Sequence, residues 1–319
     1  MSLQLDPEYR KTIEPLIAMI SGAPRLAAHD ITSRRAGFEA GMGALLGSIP
    51  AVDDVEQIHH KTIAKDGHSV SIYQFEKKAT RSKPGPAILH CHGGGMILGS
   101  VKVFASMLKT LASKTGVPIF SVDYRLAPEH PHPTPVEDCY AGLIWLQQHA
   151  VDLNIDKSRI AIMGESAGGG IAAGVALMAR DRAFSPPLAK QILVYPMLDD
   201  RNITANPTVD SINIWSSVDN LTGWTALLGD MAGKDGVSPY AAPARAESVK
   251  GLPPTYVDVG QLDLFLLENM EFISRLVAEN IVTEFHLYPG VPHGFEGLSP
   301  ESSVSKRAME HRLKAMTSF

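Results

Sequence analysis

From about residue 57 the chain alternates short β-rich runs with amphipathic helical patterns, and this alternation constrains the fold more than any other feature. The runs fall at 58–64, 69–75, 86–91, 117–122, 159–163, 191–195, 255–259 and 283–288. Helical spacing of apolar residues marks 102–115, 137–149, 167–180, 266–279 and 303–316. The first two runs have no helix between them and read as a hairpin. The later strands, each separated from the next by a helix, need right-handed crossovers, which build a mostly parallel sheet flanked by helices. Ligands on such sheets bind beyond the carboxyl ends of the strands.

Two segments stand outside the alternation. Residues 1–50 read as helices set apart from the sheet: Asp6 caps the first, with Pro7 at its opening position, and Pro15 is expected to kink or restart it. A second helical pattern carries Phe38, Met42, Leu45 and Leu46. Residues 51–319 then form the main domain, interrupted at about 197–250 by an insertion without a strong strand pattern. Leu221, Trp224 and Leu228 share a helical face there, with Asn220 as candidate cap. Together, the N-terminal helices and the insertion read as a cap over the strand ends.

Composition narrows the function classes. A net charge of −5 with no basic run argues against a nucleic-acid surface and against a membrane-binding face. No apolar stretch reaches membrane-spanning length, and the first residues lack a signal-peptide pattern, so the expected location is the cytoplasm. Cys91 and Cys139 are the only cysteines, and neither sits in a metal-ligand spacing.

Three motifs carry chemistry. Gly164-Glu165-Ser166-Ala167-Gly168 follows an apolar run and precedes a helix of small residues. A serine on such a strand–turn–helix junction is exposed in a strained conformation, with small neighbours two positions away, and is the candidate nucleophile. His92-Gly93-Gly94-Gly95 ends another strand, where bare backbone N–H groups can face a bound oxyanion. His90 and His92 share a strand face, but no third residue completes a metal site. Pro292-His293-Gly294-Phe295 follows the last strand and offers His293 as the base. The acid should lie between Ser166 and His293. Asp199, Asp200, Asp258 and Asp263 compete. Asp258 is inside a strand and Asp199 and Asp200 lead into the insertion, whereas Asp263 sits just after its strand at the same edge as His293. Glu165 reads as a hydrogen-bonding support for the serine turn.

These motifs, with Asp123-Tyr-Arg-Leu-Ala-Pro-Glu-His130 and Tyr195-Pro196, resemble the hormone-sensitive-lipase-type esterases over most of residues 57–298. The resemblance implies an α/β-hydrolase fold with a helical cap, hydrolysis of carboxylic esters, and an oxyanion hole built from the N–H groups of Gly93, Gly94 and Ala167. Edge-to-edge dimers are common in that family, so a homodimer is the partner the resemblance suggests, with the oligomeric state left open. The acid motif departs from the family pattern, reading Asp263-Leu-Phe-Leu-Leu-Glu268.

The expected activity is a serine carboxylesterase acting on a small-molecule ester of short to medium acyl chain or aryl type, with no metal or organic cofactor. An amide or formamide hydrolase on the same residues is the alternative. A non-catalytic receptor on a hydrolase scaffold is less favoured, because Ser166, Asp263 and His293 are all present. Phe38, Met42, Met96, Trp215 and Trp224 are the candidate substrate-lining side chains, since large apolar groups outside the sheet suit an apolar cap.

Overall fold

The computed structural model describes residues 4–22, 26–47, 49–78 and 82–319. Two helices open the chain, α1 (Pro7–Gly22) and α2 (Ile31–Gly47). Asp6 Oδ1 accepts the N–H groups of Glu8 at 3.0 Å and Tyr9 at 2.9 Å, the capping expected of it. The expectation of a restart at Pro15 is not met. Proline removes one i→i−4 donor, and α1 runs on through it. Tyr9 and Ile13 are buried against Tyr288, Val291, Phe295 and Val304, which anchors α1 beside the loop that carries His293.

Strands β1 (Val55–Ile63) and β2 (Ser69–Lys77) pair as an antiparallel hairpin. Then follow β3 (Gly85–Cys91), α3 (Val101–Thr115), β4 (Ile119–Asp123), α4 (Thr134–Gln148), β5 (Ile155–Glu165), α5 (Ala167–Asp181) and β6 (Lys190–Val194). Residues 197–250 contain α6 (Pro207–Asp210), α7 (Ser217–Leu228) and two short 3-10 turns, with no strand among the described residues. β7 (Thr255–Gly260), α8 (Leu266–Ala278), β8 (Thr283–Tyr288), α9 (Phe295–Leu298) and α10 (Ser303–Ala315) complete the chain. Among the described residues no helix is long and apolar enough to cross a membrane.

The eight strands form one sheet in the order β1-β2-β4-β3-β5-β6-β7-β8. β2 joins β4 antiparallel, and every pairing from β4 to β8 is parallel. This is the α/β-hydrolase fold the motifs implied. Alternate residues feed opposite faces, as a two-residue period requires. Leu89 and Cys91 pack with α4 and α5, while Ile88 packs with α3 and α10. β5 starts four residues earlier than its apolar run, because a register shift opposite Gly85 and Ala87 lets Ile155 pair before the apolar segment begins. α4 also starts early, since Pro135 in its first turn needs no N–H partner.

The cap of α7 is Ser216 rather than Asn220. Ser216 and Asp219 form a reciprocal capping box, whereas Asn220 lies one turn inside and is buried. Asn220 instead accepts the indole N–H of Trp215 at 3.2 Å and donates to the Asn202 carbonyl at 2.5 Å. Helix α2 is tied to α7: Arg34 Nε reaches Asp219 at 2.8 Å, and the His29 N–H reaches Thr222 Oγ1 at 3.0 Å.

Candidate active site

The carboxyl ends of four strands converge. β5 delivers Ser166, β3 the Gly93–Gly95 loop, β7 the Asp263 loop and β8 the His293 loop. Ser166 sits at φ 56°, ψ −123°, a conformation that L-residues rarely adopt. The turn tolerates this only because its flanks are bare. A Cβ on Gly164 would lie 2.2 Å from the Gly168 carbonyl oxygen, and one on Gly168 would lie 2.0 Å from that of Cys91. The turn holds its pose through the Ser166 N–H to the Val194 carbonyl and the Met197 N–H to the Ser166 carbonyl, each at 2.9 Å.

Ser166 Oγ lies 2.9 Å from His293 Nε2, and His293 Nδ1 lies 2.8 Å from Asp263 Oδ2. An ionised carboxylate only accepts, so Nδ1 carries the proton and Nε2 is left to accept from the serine hydroxyl. The other carboxylate oxygen of Asp263 accepts the Phe265 N–H at 2.8 Å, which fixes the acid from behind. The imidazole is boxed by the edge-on rings of Tyr195 (4.6 Å) and Phe265 (5.0 Å). Ser166 and His293 are only 8% and 6% exposed, so both side chains are buried.

The competing carboxylates are engaged elsewhere. Asp258 is buried in a two-pronged pair with Arg312 of α10 at 2.6 and 2.8 Å and also accepts the Tyr256 hydroxyl at 2.8 Å. Asp200 pairs with Arg245, and Asp199 with Arg201. Glu268, the last acid of the divergent motif, accepts the Leu198 N–H at 2.7 Å and ties α8 to the end of β6. Burial pushes its carboxyl well above the usual range.

Glu165 supports the oxyanion loop. Its Oε1 accepts the Gly93 N–H at 2.9 Å, and its Oε2 lies 2.8 Å from His90 Nε2. Ser121 Oγ, at 2.9 Å from His90 Nδ1, completes the buried chain. Burial alone would raise the Glu165 carboxyl, but the His90 charge and hydrogen bond and the Gly93 N–H outweigh it and hold the carboxyl below its ordinary value. Gly93 therefore differs from its expected role: its N–H is spent on Glu165 and is not free for a substrate. Among the described residues no protein acceptor takes the N–H of Gly94 or Gly95, both at positive φ (122° and 59°). Ala167, the first residue of α5, has no intrahelical acceptor for its N–H. His92 donates to the Gly93 carbonyl and stacks on Tyr124, and burial lowers its basicity. Among the described residues no cluster of three or more His, Cys, Asp or Glu side chains is placed to hold a metal.

The candidate substrate-lining residues separate. The Trp215 ring covers the oxyanion loop so closely that a Cβ on Gly95 would lie 2.0 Å from it. Phe38 packs on Phe104, with ring centroids 6.4 Å apart, and Met96 is buried with its carbonyl accepting the Ala127 N–H at 3.0 Å. Trp224 is 0% exposed and belongs to the hydrophobic core, so it lines no open surface; its helical face turns inward. The side chains of Met42 and Leu46 lie outside the described residues. Asn213, which sequence reasoning passed over, accepts the backbone N–H of His293 at 2.8 Å.

The family described as alpha/beta hydrolase fold matches residues 88–297. Esterase LipI of Mycobacterium tuberculosis is 32% identical over 235 residues, 72% of this chain and 72% of that protein. An arylesterase of Saccharolobus solfataricus is 31% identical over 216 residues, 68% of this chain and 70% of that protein. Among solved structures, a bacterial heroin esterase superimposes with a TM-score of 0.88 at 35% identity, covering 98% of this chain and 97% of that one. The matched region runs from within β3 through the His293 loop, and with it every motif from His92 to Phe295. The chain therefore belongs to the α/β-hydrolase fold family and, within it, to the hormone-sensitive-lipase-type carboxylesterases.

Proposed function

We propose that this protein hydrolyses short- to medium-chain acyl or aryl esters through an acyl-enzyme on Ser166, with His293 as base and Asp263 as the acid that orients it. The observation that carries the reading is the continuous relay from Ser166 Oγ to His293 Nε2 (2.9 Å) and from Nδ1 to Asp263 Oδ2 (2.8 Å), set on a strained serine turn. As the serine oxygen attacks the ester carbonyl, its proton passes to Nε2. Asp263 keeps the proton on Nδ1 and stabilises the imidazolium. The carbonyl oxygen becomes an oxyanion, and the unengaged N–H groups of Gly94, Gly95 and Ala167 are its donors. His293 then returns the proton to the leaving alcohol. Water repeats the sequence on the acyl-enzyme and releases the acid. The arylesterase and heroin esterase among the relatives support an aryl or bulky alcohol as the leaving group.

Ser166→Ala tests the assignment. The variant should fold as the wild type, lose at least about a thousandfold in kcat on an aryl acetate, and fail to be labelled by a fluorophosphonate, since triad members act as a unit. Near-wild-type turnover by a pure preparation would exclude Ser166 as nucleophile.

A further inference from the structure

Between α6 and α7 the insertion crosses the site in one short stretch, Asn213-Ile214-Trp215, and each residue meets a different part of it. Trp215 covers Gly95 of the oxyanion loop. Ile214 lies over Gly294, where an added Cβ would stand 3.4 Å from its Cδ1. Asn213 is buried. Its Oδ1 accepts the His293 N–H at 2.8 Å, and its Nδ2 donates to the Leu262 carbonyl at 2.9 Å and to the Val209 carbonyl at 2.7 Å. One planar amide thus binds the backbone of the base and the backbone immediately before the acid. The same two loops are joined directly by the Leu262 N–H to the Val291 carbonyl at 3.0 Å, so Asn213 closes a second side of the junction. An amide serving only its own segment would satisfy groups there. This one spends its acceptor and one donor on two loops that come from β7 and β8.

We propose that Asn213 is a positioning residue that makes the alignment of His293 with Asp263 depend on the seating of the insertion. Ser166 and His293 are buried side chains, and the stretch sits on the oxyanion loop and on the His293 loop, so any displacement of it that admits an ester acts directly on their setting. Lifting the stretch withdraws the amide from both loops and loosens the relay. Reseating it over the bound ester restores the relay and excludes water at the same time. The inference rests on the proposed roles of Ser166, His293 and Asp263.

The test measures kcat, KM and the pH profile of kcat/KM on an aryl ester, with the full chain carrying Asn213→Ser, Asn213→Ala or Asn213→Asp. The groups that face the imidazole are the Asp263 carboxylate, the Tyr195 and Phe265 rings and, through Tyr195, Glu296 and Arg312. All are untouched by these substitutions. Asn213→Ala should lower kcat at least about tenfold, equal to about 1.4 kcal/mol of activation free energy, and leave KM within about threefold. Its acid limb should move to lower pH, because a misaligned carboxylate stabilises the imidazolium less. Asn213→Asp keeps an acceptor for the His293 N–H but adds negative charge, so its acid limb should move to higher pH. A folded variant with unchanged kcat, a rise confined to KM, or a loss of kcat and thermal stability with the acid limb unmoved would each overturn the proposal. Failure of all three variants to fold counts against it too, since the amide would then be a determinant of folding. If Asn213 proves neutral while Ser166→Ala is inactive, only this inference falls. If Ser166→Ala stays active, the catalytic reading falls as well.

Discussion

Glu165 shows how one buried side chain can decide which backbone groups remain for chemistry. Its carboxylate removes the Gly93 N–H from the oxyanion loop's supply and is itself held by His90, whose other ring nitrogen is met by Ser121. Because its carboxyl is held below the ordinary value, its stabilising contribution is complete above about pH 4.3, the unfolded value, and is lost as pH falls through the lower folded value. Glu165→Gln removes that charge, so the gap in thermal stability between wild type and variant should be largest near neutrality and should narrow below pH 4. Thermal unfolding followed from pH 3 to 7 measures this, and a gap independent of pH would show that the charge contributes nothing. The residues that the structure brings together at the candidate site were legible as motifs because each has a steric reason to be short and local: Gly164 and Gly168 must be bare, and Ser166 must stand between strand and helix. The use of Gly93 was not readable, because it depends on a contact between residues 72 apart. Asn213 was hidden for the same reason, lying in a loop and acting on backbone from 49 and 80 residues away.

At the scale of elements, periodicity carried most of the information. The eight strands and five flanking helices fall where alternation and helical spacing put them, since burial of one face or both leaves a local mark. Ends were less legible. The early start of β5 depends on its partner strand, and the α7 cap on a reciprocal pair rather than on one polar residue. The face containing Trp224 was recognised as helical, but periodicity does not say whether an apolar face meets the core or a ligand, and here it meets the core. The pin between β7 and α10 is the element contact with the clearest consequence. Asp258 and Arg312 are both buried and doubly hydrogen-bonded, and Glu296 lies 2.6 Å from the same guanidinium. Asp258→Asn leaves a buried cation short of one counter-charge, a change that costs about 3 kcal/mol or more. Its thermal midpoint should fall by several degrees, whereas the kcat of the folded fraction should stay close to wild type. Asp263→Asn should do the reverse, with turnover falling steeply and the midpoint little changed. Calorimetry and steady-state kinetics on both variants separate the structural carboxylate from the one that orients the base.

For the whole molecule, the question is how a buried centre selects its ester. Helix α2 reaches both covering structures. Arg34 joins it to α7 through Asp219, and Arg35 joins it to the segment behind the oxyanion loop through the Ile97 and Ala127 carbonyls at 2.9 and 3.0 Å. Arg34 is buried and also donates to the Ala27 carbonyl at 2.7 Å and the Asp30 carbonyl at 3.1 Å, so its guanidinium is the joint of this corner. Trp215 lies on Gly95 and α7 approaches the same glycine through Gly223, so an acyl chain too long for the space beside the oxyanion loop must displace one of them, and the free energy of that displacement is subtracted from transition-state binding. The intact protein should therefore turn over soluble short-chain aryl esters well and emulsified long-chain triglycerides poorly. Arg34→Ala breaks the joint while leaving Ser166, His293 and Asp263 in place, which labelling by a fluorophosphonate checks. The loosened corner should cut kcat/KM for the short esters several-fold, because less of the bound state is closed, and should penalise longer chains less. The ratio of long-chain to short-chain kcat/KM should then rise in Arg34→Ala. Equal losses at every chain length would mean that the corner only stabilises the fold, and a preference of the intact protein for emulsified triglycerides would mean that the covering segments do not set specificity.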